Sequence, residues 1–524
     1  MIGNTMKEII YAIFLSFFLC GLCGNAEAKK KKEVKKAIKR EVQTPYDKLF
    51  KGKKAFTVNG LMKMHLMAGK VYAEFPIELL NRDLALTSSI EDISDNGEGV
   101  VGQFAGRVNQ FRFTLQDSML QARLVRRYGV KNTGMGKNAD QIIERSNTPG
   151  IFQSYKILAY TPDKKAVVVD MTELFLESSR LTNPFPSYAG NSLYGFVQRI
   201  HKFQSQRSEL LGICGNDNSM SVHCNLGFNV DRLVLGSFMQ AKDVPVSVTV
   251  NKILMLLPED PMRPRLADSR IGVNAIIQTE LPDVCQGIKT YYITKRWRIE
   301  PVDEIRYKQG EMVDVKKPIV FYIDTLMPDS WIKYVKAGAE AWNAAFEKIG
   351  LRNVVRTELF PKDSSFDAGD IHNSVIRYAP SWMYYPQYSM HTDPRTGEIL
   401  NASVYLPANV ASYFYTSRTE ETMAVDPSVR KARLSEEQFG EMFKAKMMQA
   451  IGRCLGLTDN YAASSVYPVD SLRSASFTRK YGVVASVMDD FTCNKIAQPE
   501  DVKKGVVLVQ QNLGPYDYEV IKYL

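Results

Sequence analysis

Histidine and cysteine are the side chains best suited to bind a transition metal or to attack a substrate, and in this 524-residue chain they are few and scattered. The histidines are His65, His201, His223, His372 and His391, with none beyond position 391. Taken one at a time, each reads as a surface residue or a satisfied core residue. His391 is the exception, because it stands just before Asp393-Pro394-Arg395 and ahead of a strand expected at the edge of a cleft. Of the seven cysteines, Cys20 and Cys23 fall in an apolar leader, leaving Cys214, Cys224, Cys285, Cys454 and Cys493. These five contain no C-x-x-C metal pattern, and an odd count leaves at least one thiol free in an oxidising compartment. Cys214 and Cys224 are the best local candidates for a disulfide, while Cys454 and Cys493 read as a core pair or as two buried thiols. No motif supports a Cys-His nucleophile.

The elements that could position chemistry become clear after Pro301. Lys317–Ile323 reads as a strand, and Pro328-Asp329-Ser330 opens a helix with a side-chain oxygen available to cap its first turn. Trp331, Val335, Gly338, Trp342, Ala345 and Ile349 recur on one face of that helix, and Gly350 is placed to end it in a left-handed conformation. Strands are expected at Asn353–Phe360, Ser374–Tyr378 and Ile399–Leu406. A second long helix starts at Ser435, whose spacing to Gln438 is that of a capping box, and its apolar face runs through Phe439, Phe443, Met447, Ala450 and Cys454 until Gly456. Strand, helix and then several strands predict an α+β domain with a mixed sheet. Upstream, from Leu84 to about Ile299, short strands dominate. Gln110–Thr114 and Val246–Val250 alternate apolar and polar residues, and Ala166–Val169 is a run of the fully buried kind.

The end of the second helix carries the functional signal. Gln449-Ala450-Ile451-Gly452-Arg453-Cys454-Leu455-Gly456-Leu457-Thr458-Asp459 resembles the metzincin signature His-Glu-x-x-His-x-x-Gly-x-x-His. In that signature two histidines one helical turn apart bind zinc, the glutamate deprotonates the metal-bound water, and the glycine lets the chain bend back with a third histidine. Further matches are Pro264–Gly272, Ile293–Arg298, Asp393–Leu400, Tyr467–Ser474, Ser486–Asp489, Gln498–Asp501 and Gly514–Tyr518. In order and spacing they resemble a family of large secreted zinc-dependent metalloproteases of Bacteroidetes-type bacteria, over nearly all of the chain that follows the leader. The resemblance implies a metzincin-type catalytic domain behind two N-terminal modules of unknown function, with Met488 as the methionine turn beneath the metal. Only Gly456 keeps its residue within the signature; Gln449, Ala450, Arg453 and Asp459 stand where the ligands and base belong. Gln449 and Asp459 offer oxygen ligands, but the guanidinium of Arg453 cannot deprotonate to become one, and Ala450 has no group to take a proton from water. Arg453 is instead expected to fill the vacated metal position and to pair with Asp459 or Asp490, the alternative being that it snorkels to solvent and leaves the cleft to water. Asp490 replaces the aromatic residue that follows Met-Asp in the family. The family's chains also continue past the Gly-Pro-Tyr-Asp match, where this sequence ends at Leu524, which predicts fewer substrate contacts from that side.

The first residues predict export. Lys7 precedes an apolar run from Ile9 to Leu22 and the small-x-small sequence Ala26-Glu27-Ala28, the pattern of a signal peptide cleaved near Ala28. Leu19 and Leu22 stand where a lipoprotein signal has a small residue, and nothing later approaches a transmembrane span. The chain carries a net charge of +10, and Lys29 to Glu41 alone holds eight basic residues against Glu33 and Glu41. This is a solvated leader, with anionic lipid or sugar as its sharper alternative partner. No aromatic-interleaved basic motif points to nucleic acid.

These readings predict a signal peptide at 1–28, a basic leader at 29–44, a small module at 45–83, a β-rich domain at 84–299 and a zincin-like (metzincin-type) domain at 300–524, α+β in class. The functional expectation is an exported pseudoprotease in the periplasm, at the outer surface or outside the cell. It would carry no zinc cofactor, although zinc serves the family, and would take a peptide, protein or glycan in its vestigial cleft. The alternative is a metallopeptidase or other hydrolase with relocated metal or catalytic residues.

Overall fold

The computed structural model describes residues 43–524 except 105–107, 126–129, 135, 179–180, 182, 186–196, 236–237, 283–286, 363–365, 382 and 491–492. The expected signal peptide, the basic leader and Cys285 lie outside the described residues.

Beside a three-stranded mixed sheet, in which Ala275–Leu281 pairs antiparallel with Lys289–Thr294 and parallel with Val130–Asn132, the N-terminal half is built of two antiparallel sheets. One has five strands in the order Phe56–Val58, Lys63–Met67, Lys70–Pro76, Ala166–Asp170, Ala159–Tyr160, so it draws strands from both sides of residue 83. The other has seven, in the order Val197–Asn216, Ser219–Val234, Phe238–Leu256, Leu84–Ile93, Asn109–Gln116, Met119–Leu124, Gly150–Lys156. The two share a core that includes Phe75, Phe111, Phe113, Val169, Phe175, Val222 and Val248. Alternation in Gln110–Thr114 and Val246–Val250 is what directs Phe111, Phe113, Val246, Val248 and Val250 inward.

The sequence pattern predicts short strands throughout, yet three of them span 20, 16 and 19 residues. The outermost, Val197–Asn216, is largely solvent-exposed and carries register shifts between Gln204 and Glu209 and between Leu210 and Gly212. Its mostly polar sequence therefore hides its length, and its bulges are of the kind that keep an edge from pairing with another chain.

The C-terminal region is α+β. Its sheet runs in the order Val355–Leu359, Ile319–Ile323, Ser374–Ala379, Ile399–Pro407, Gln387–Thr392, the first four strands parallel and the last antiparallel. Four of these five strands stand where the sequence places them. The edge strand Gln387–Thr392 and the helix Val410–Thr422 are additions that the sequence pattern does not signal.

The expected helix from Ser330 runs from Asp329 to Glu340, and after a break a short helix continues at Asn343–Glu347. Its N-cap is Pro328, with no side-chain cap, so the capping expected from Asp329 or Ser330 is not made. Gly350 has φ +83°, as its left-handed role requires. The second helix, Glu436–Cys454, has the full capping box: Gln438 N donates to Ser435 Oγ at 3.2 Å and Ser435 N to Gln438 Oε1 at 3.0 Å. The two helices pack closely because Gly338 has no side chain; a Cβ there would collide with Met447. Trp342 is fully buried and donates its indole N–H to Met448 O at 2.9 Å, so helices and sheet share one core.

Candidate functional site

The helix Glu436–Cys454 presents Met447, Met448 and Ile451 to the core and turns a stripe of Lys446, Gln449, Ala450 and Arg453 toward a cavity of about 190 Å³. These positions are spaced i, i+3, i+4 and i+7, so they lie above one another on one face. Tyr385, Pro386, Tyr461 and Asp490 complete the lining.

Below the stripe the frame is tightly determined. Met488 is fully buried, and a Cβ on Gly452 would run into its Sδ and into the Trp342 ring, so the helix rests directly on the methionine turn. The helix ends where Trp297 Nε1 donates to Cys454 O at 2.9 Å. Gly456 then takes φ +103°, a conformation that a side chain would strain, and a Cβ there would strike Lys295 O. That bend returns the chain so that Asp459 faces Arg453 and Asn460 N donates to Met488 O at 2.9 Å.

The turn itself is held by a residue that the motif match includes without giving it a role. Asp517, buried in the Gly-Pro-Tyr-Asp segment, accepts from Ser486 Oγ at 2.6 Å, Val487 N at 2.9 Å and Gly514 N at 2.7 Å. Burial raises its pKa to about 6, against the lowering effect of those three donors.

The polar contents of the cleft are bonded to one another. Arg453 donates through Nε at 2.9 Å and Nη2 at 2.7 Å to Asp459 Oδ1. The pair lies at the mouth of the cleft, with side chains 24% and 32% exposed. Of the two partners expected for Arg453, Asp459 is therefore the one it takes, and the pair is not the buried substitute for the metal that the sequence suggests. Asp490 is instead engaged by Lys446, whose Nζ donates to Asp490 Oδ1 at 3.2 Å and to Gln449 Oε1 at 3.0 Å. Gln449 Nε2 donates onward to Asp489 O at 2.9 Å, and Tyr413 presents its ring to the Lys446 ammonium at 5.5 Å. The buried cation of the cleft is Lys446, which sequence reasoning misses, and Arg453 is its more exposed neighbour.

This donor set does not fit zinc. No histidine or cysteine lines the cavity among the described residues, the Gln449 oxygen is occupied by an ammonium, and two cations stand on the face where ligands would be needed.

The other candidates drawn from the sequence fall elsewhere. His391 lies on the edge strand but points away from the cleft: it is buried against Phe104 with ring centroids 4.6 Å apart, and neither ring nitrogen has a hydrogen-bond partner among the described residues. Burial, with the nearby Lys295 charge, lowers its pKa to about 4 and keeps the ring neutral. Cys214 and Cys224 do not form the expected disulfide. Across the strand pair Cys224 stands opposite Leu210 and Cys214 opposite Ser221, one thiol buried and the other exposed. Cys454 and Cys493 are separate buried thiols, and burial pushes that of Cys493 up to about 12. A larger groove of about 840 Å³ contains none of the helix stripe. Part of its charged lining is paired, Arg298 with Glu398 at 3.0 Å and Lys316 with Glu300 at 3.3 Å.

No curated protein and no solved structure matches the chain. Residues 102–302, most of the β-rich half, match a domain of unknown function (DUF5117). Residues 431–524, which hold the capped helix, the glycine bend, the methionine turn and Asp517, match the family described as Met-zincin, so the candidate site lies in a region similar to a metzincin-like protease domain.

Proposed function

We propose that the chain is an exported, catalytically silent relative of zinc-dependent metalloproteases, with a zincin-type fold at its C-terminal end and a binding or scaffolding role. The observation that carries this reading is the Lys446 ammonium hydrogen-bonded to Gln449, the residue standing at the first ligand position of the metzincin signature. A fixed cation there repels a metal, Arg453 adds a second, and Ala450 supplies no general base.

The same geometry favours an extended peptide as occupant. Gln387–Thr392 is the outermost strand of its sheet, its first four residues are at least partly exposed, and Tyr385 and Pro386 lead from it into the cavity. A strand added along such an edge gains main-chain hydrogen bonds, and the cavity would take one of its side chains. No helix among the described residues is long and apolar enough to cross a membrane, and the reading places the protein in the periplasm, at the outer surface or outside the cell.

Ligand restoration tests the proposal. The variant Gln449→His, Ala450→Glu, Arg453→His, Asp459→His is expected to gain zinc only when Lys446→Ala is added, because the ammonium otherwise occupies the ligand sphere. The unaltered chain is expected to leave peptides uncleaved with or without zinc. Peptide hydrolysis by the unaltered chain that disappears in Gln449→Ala would overturn the reading.

A further inference from the structure

We infer that Glu91, His223 and Asp367 form a divalent-cation site at the seam between the seven-stranded sheet and the loop ahead of strand Ser374–Ala379. Their ligand atoms lie within 4.8 Å of one another, near the separation of about 3.4 Å that donors 2.1 Å from a common tetrahedral ion adopt.

The sheet register sets one wall. His223 stands directly opposite Asn251, and Asn251 opposite Ser89, so the three share a face. Their neighbours Cys224, Val250 and Ile90 point the other way into the core. A register shift between Val250 and Thr249 leaves Glu91 as the extra residue of a bulge, and its carboxylate reaches His223 Nδ1 at 2.9 and 3.0 Å.

The loop supplies the other wall and is pinned to the sheet. Asn251 Nδ2 donates to Asp367 Oδ2 at 2.8 Å, Gly369 N to Asp367 Oδ1 at 2.7 Å, and Ser89 Oγ to Gly369 O at 3.1 Å. Gly369 suits this closeness, since a Cβ there would stand 2.9 Å from Ser89 Oγ and displace that hydroxyl.

Two further observations point to an ion rather than to an ordinary imidazole–carboxylate contact. Among the described residues no lysine or arginine pairs with Glu91 or Asp367, so two carboxylates share one imidazole and the cluster is left with excess negative charge. In addition, Asn251 is fully buried and its Oδ1 has no hydrogen-bond donor among the described residues, although the Nδ2 of the same amide rests on Asp367. A buried carbonyl left without a donor is unfavourable, and a water bound to a cation in the cluster would supply one. One imidazole nitrogen with two carboxylate oxygens suits zinc or manganese better than calcium or magnesium, which prefer oxygen alone. The side chains of His223 and Glu91 remain 20% and 26% exposed, which gives an ion a way in.

Metal binding measured on the chelator-treated full chain, by calorimetry with zinc chloride and with manganese chloride, tests the assignment. One equivalent of at least one of these ions is expected to bind and to raise the melting temperature. Affinity is expected to fall at least tenfold in His223→Ala and in the near-isosteric Glu91→Gln and Asp367→Asn, which keep the test usable if the alanine variant folds poorly. Absence of binding by the unaltered chain would overturn the inference. So would binding that survives all three substitutions, as it would if the exposed thiol of Cys214 held the ion. Binding that survives them but is lost in Gln449→Ala would place the ion in the vestigial cleft, overturning both this inference and the proposed function.

Discussion

The floor of the cleft and its contents obey different rules. The floor is made of single-solution contacts: Gly452 against Met488 and Trp342, Gly456 against the Lys295 carbonyl, and three donors converging on Asp517. The contents are hydrogen-bonded groups lining the cavity, Arg453 with Asp459 partly exposed and Lys446 with Gln449 buried beside Asp490, and other residue types could satisfy each contact. Fold and chemistry are therefore separable here: the floor is fixed by packing, whereas the polar groups above it could be exchanged without moving the frame.

The sharpest way to break the comparison is at the bend. Gly456→Ala combines a positive φ with a backbone collision and is expected to cost about 3 to 5 kcal/mol, read by denaturant unfolding. A loss under about 1 kcal/mol would mean that the floor is as adaptable as the contents. Asp517→Ala leaves a buried hydroxyl and two backbone N–H groups without an acceptor and is expected to cost about 2 to 4 kcal/mol. An unchanged unfolding midpoint would remove Asp517 from the frame.

A pH series extends the test to His391. Its folded pKa of about 4 lies below the ordinary histidine value of 6.5, so the unfolded chain binds the extra proton between those values. Stability from this group is present above pH 6.5 and is lost as pH falls to 4, by about 3 kcal/mol in all. Asp517 works in the opposite sense: its folded pKa is raised from 3.8 to about 6, so its contribution is present below pH 3.8 and is lost as pH rises through 6. The acid-side loss is expected to shrink in His391→Leu and to persist if His391 is not the responsible group.

The smallest effects belong to the contents. Arg453→Met is expected to cost no more than about 1 kcal/mol, because a partly exposed ion pair contributes little. Lys446→Ala, which removes a more deeply buried donor from Gln449, should cost about 1 to 2 kcal/mol. Equal losses, or a reversed order, would place the principal cation of the cleft at Arg453 instead.

What the sequence discloses follows the range of the interactions. The capping box at Ser435 and the positive φ at Gly350 and Gly456 depend on neighbours a few residues away and are legible. Helix Val410–Thr422 is not, since its β-branched, aromatic and polar residues favour helix weakly and it is held by burying Val410 and Phe414. Lys446 escapes notice because one partner, Asp490, lies 44 residues on. A signal does exist: Lys446, Gln449 and Arg453 are polar residues repeating at helical spacing in a stretch that is otherwise apolar. The Glu91, His223 and Asp367 cluster joins elements 132 and more residues apart, and no local pattern announces it.

The anchoring of the methionine turn by Asp517 also dictates an order of assembly. Synthesis runs from the N-terminus, and the carboxylate that organises the turn follows Val487 by 30 residues. At about 5 to 20 residues per second the nascent turn waits roughly two to six seconds for its acceptor. During that interval Met488 and the underside of the helix lack their final packing, so a chain interrupted between the two would expose the sticky apolar seat of the cleft to chaperones and proteases.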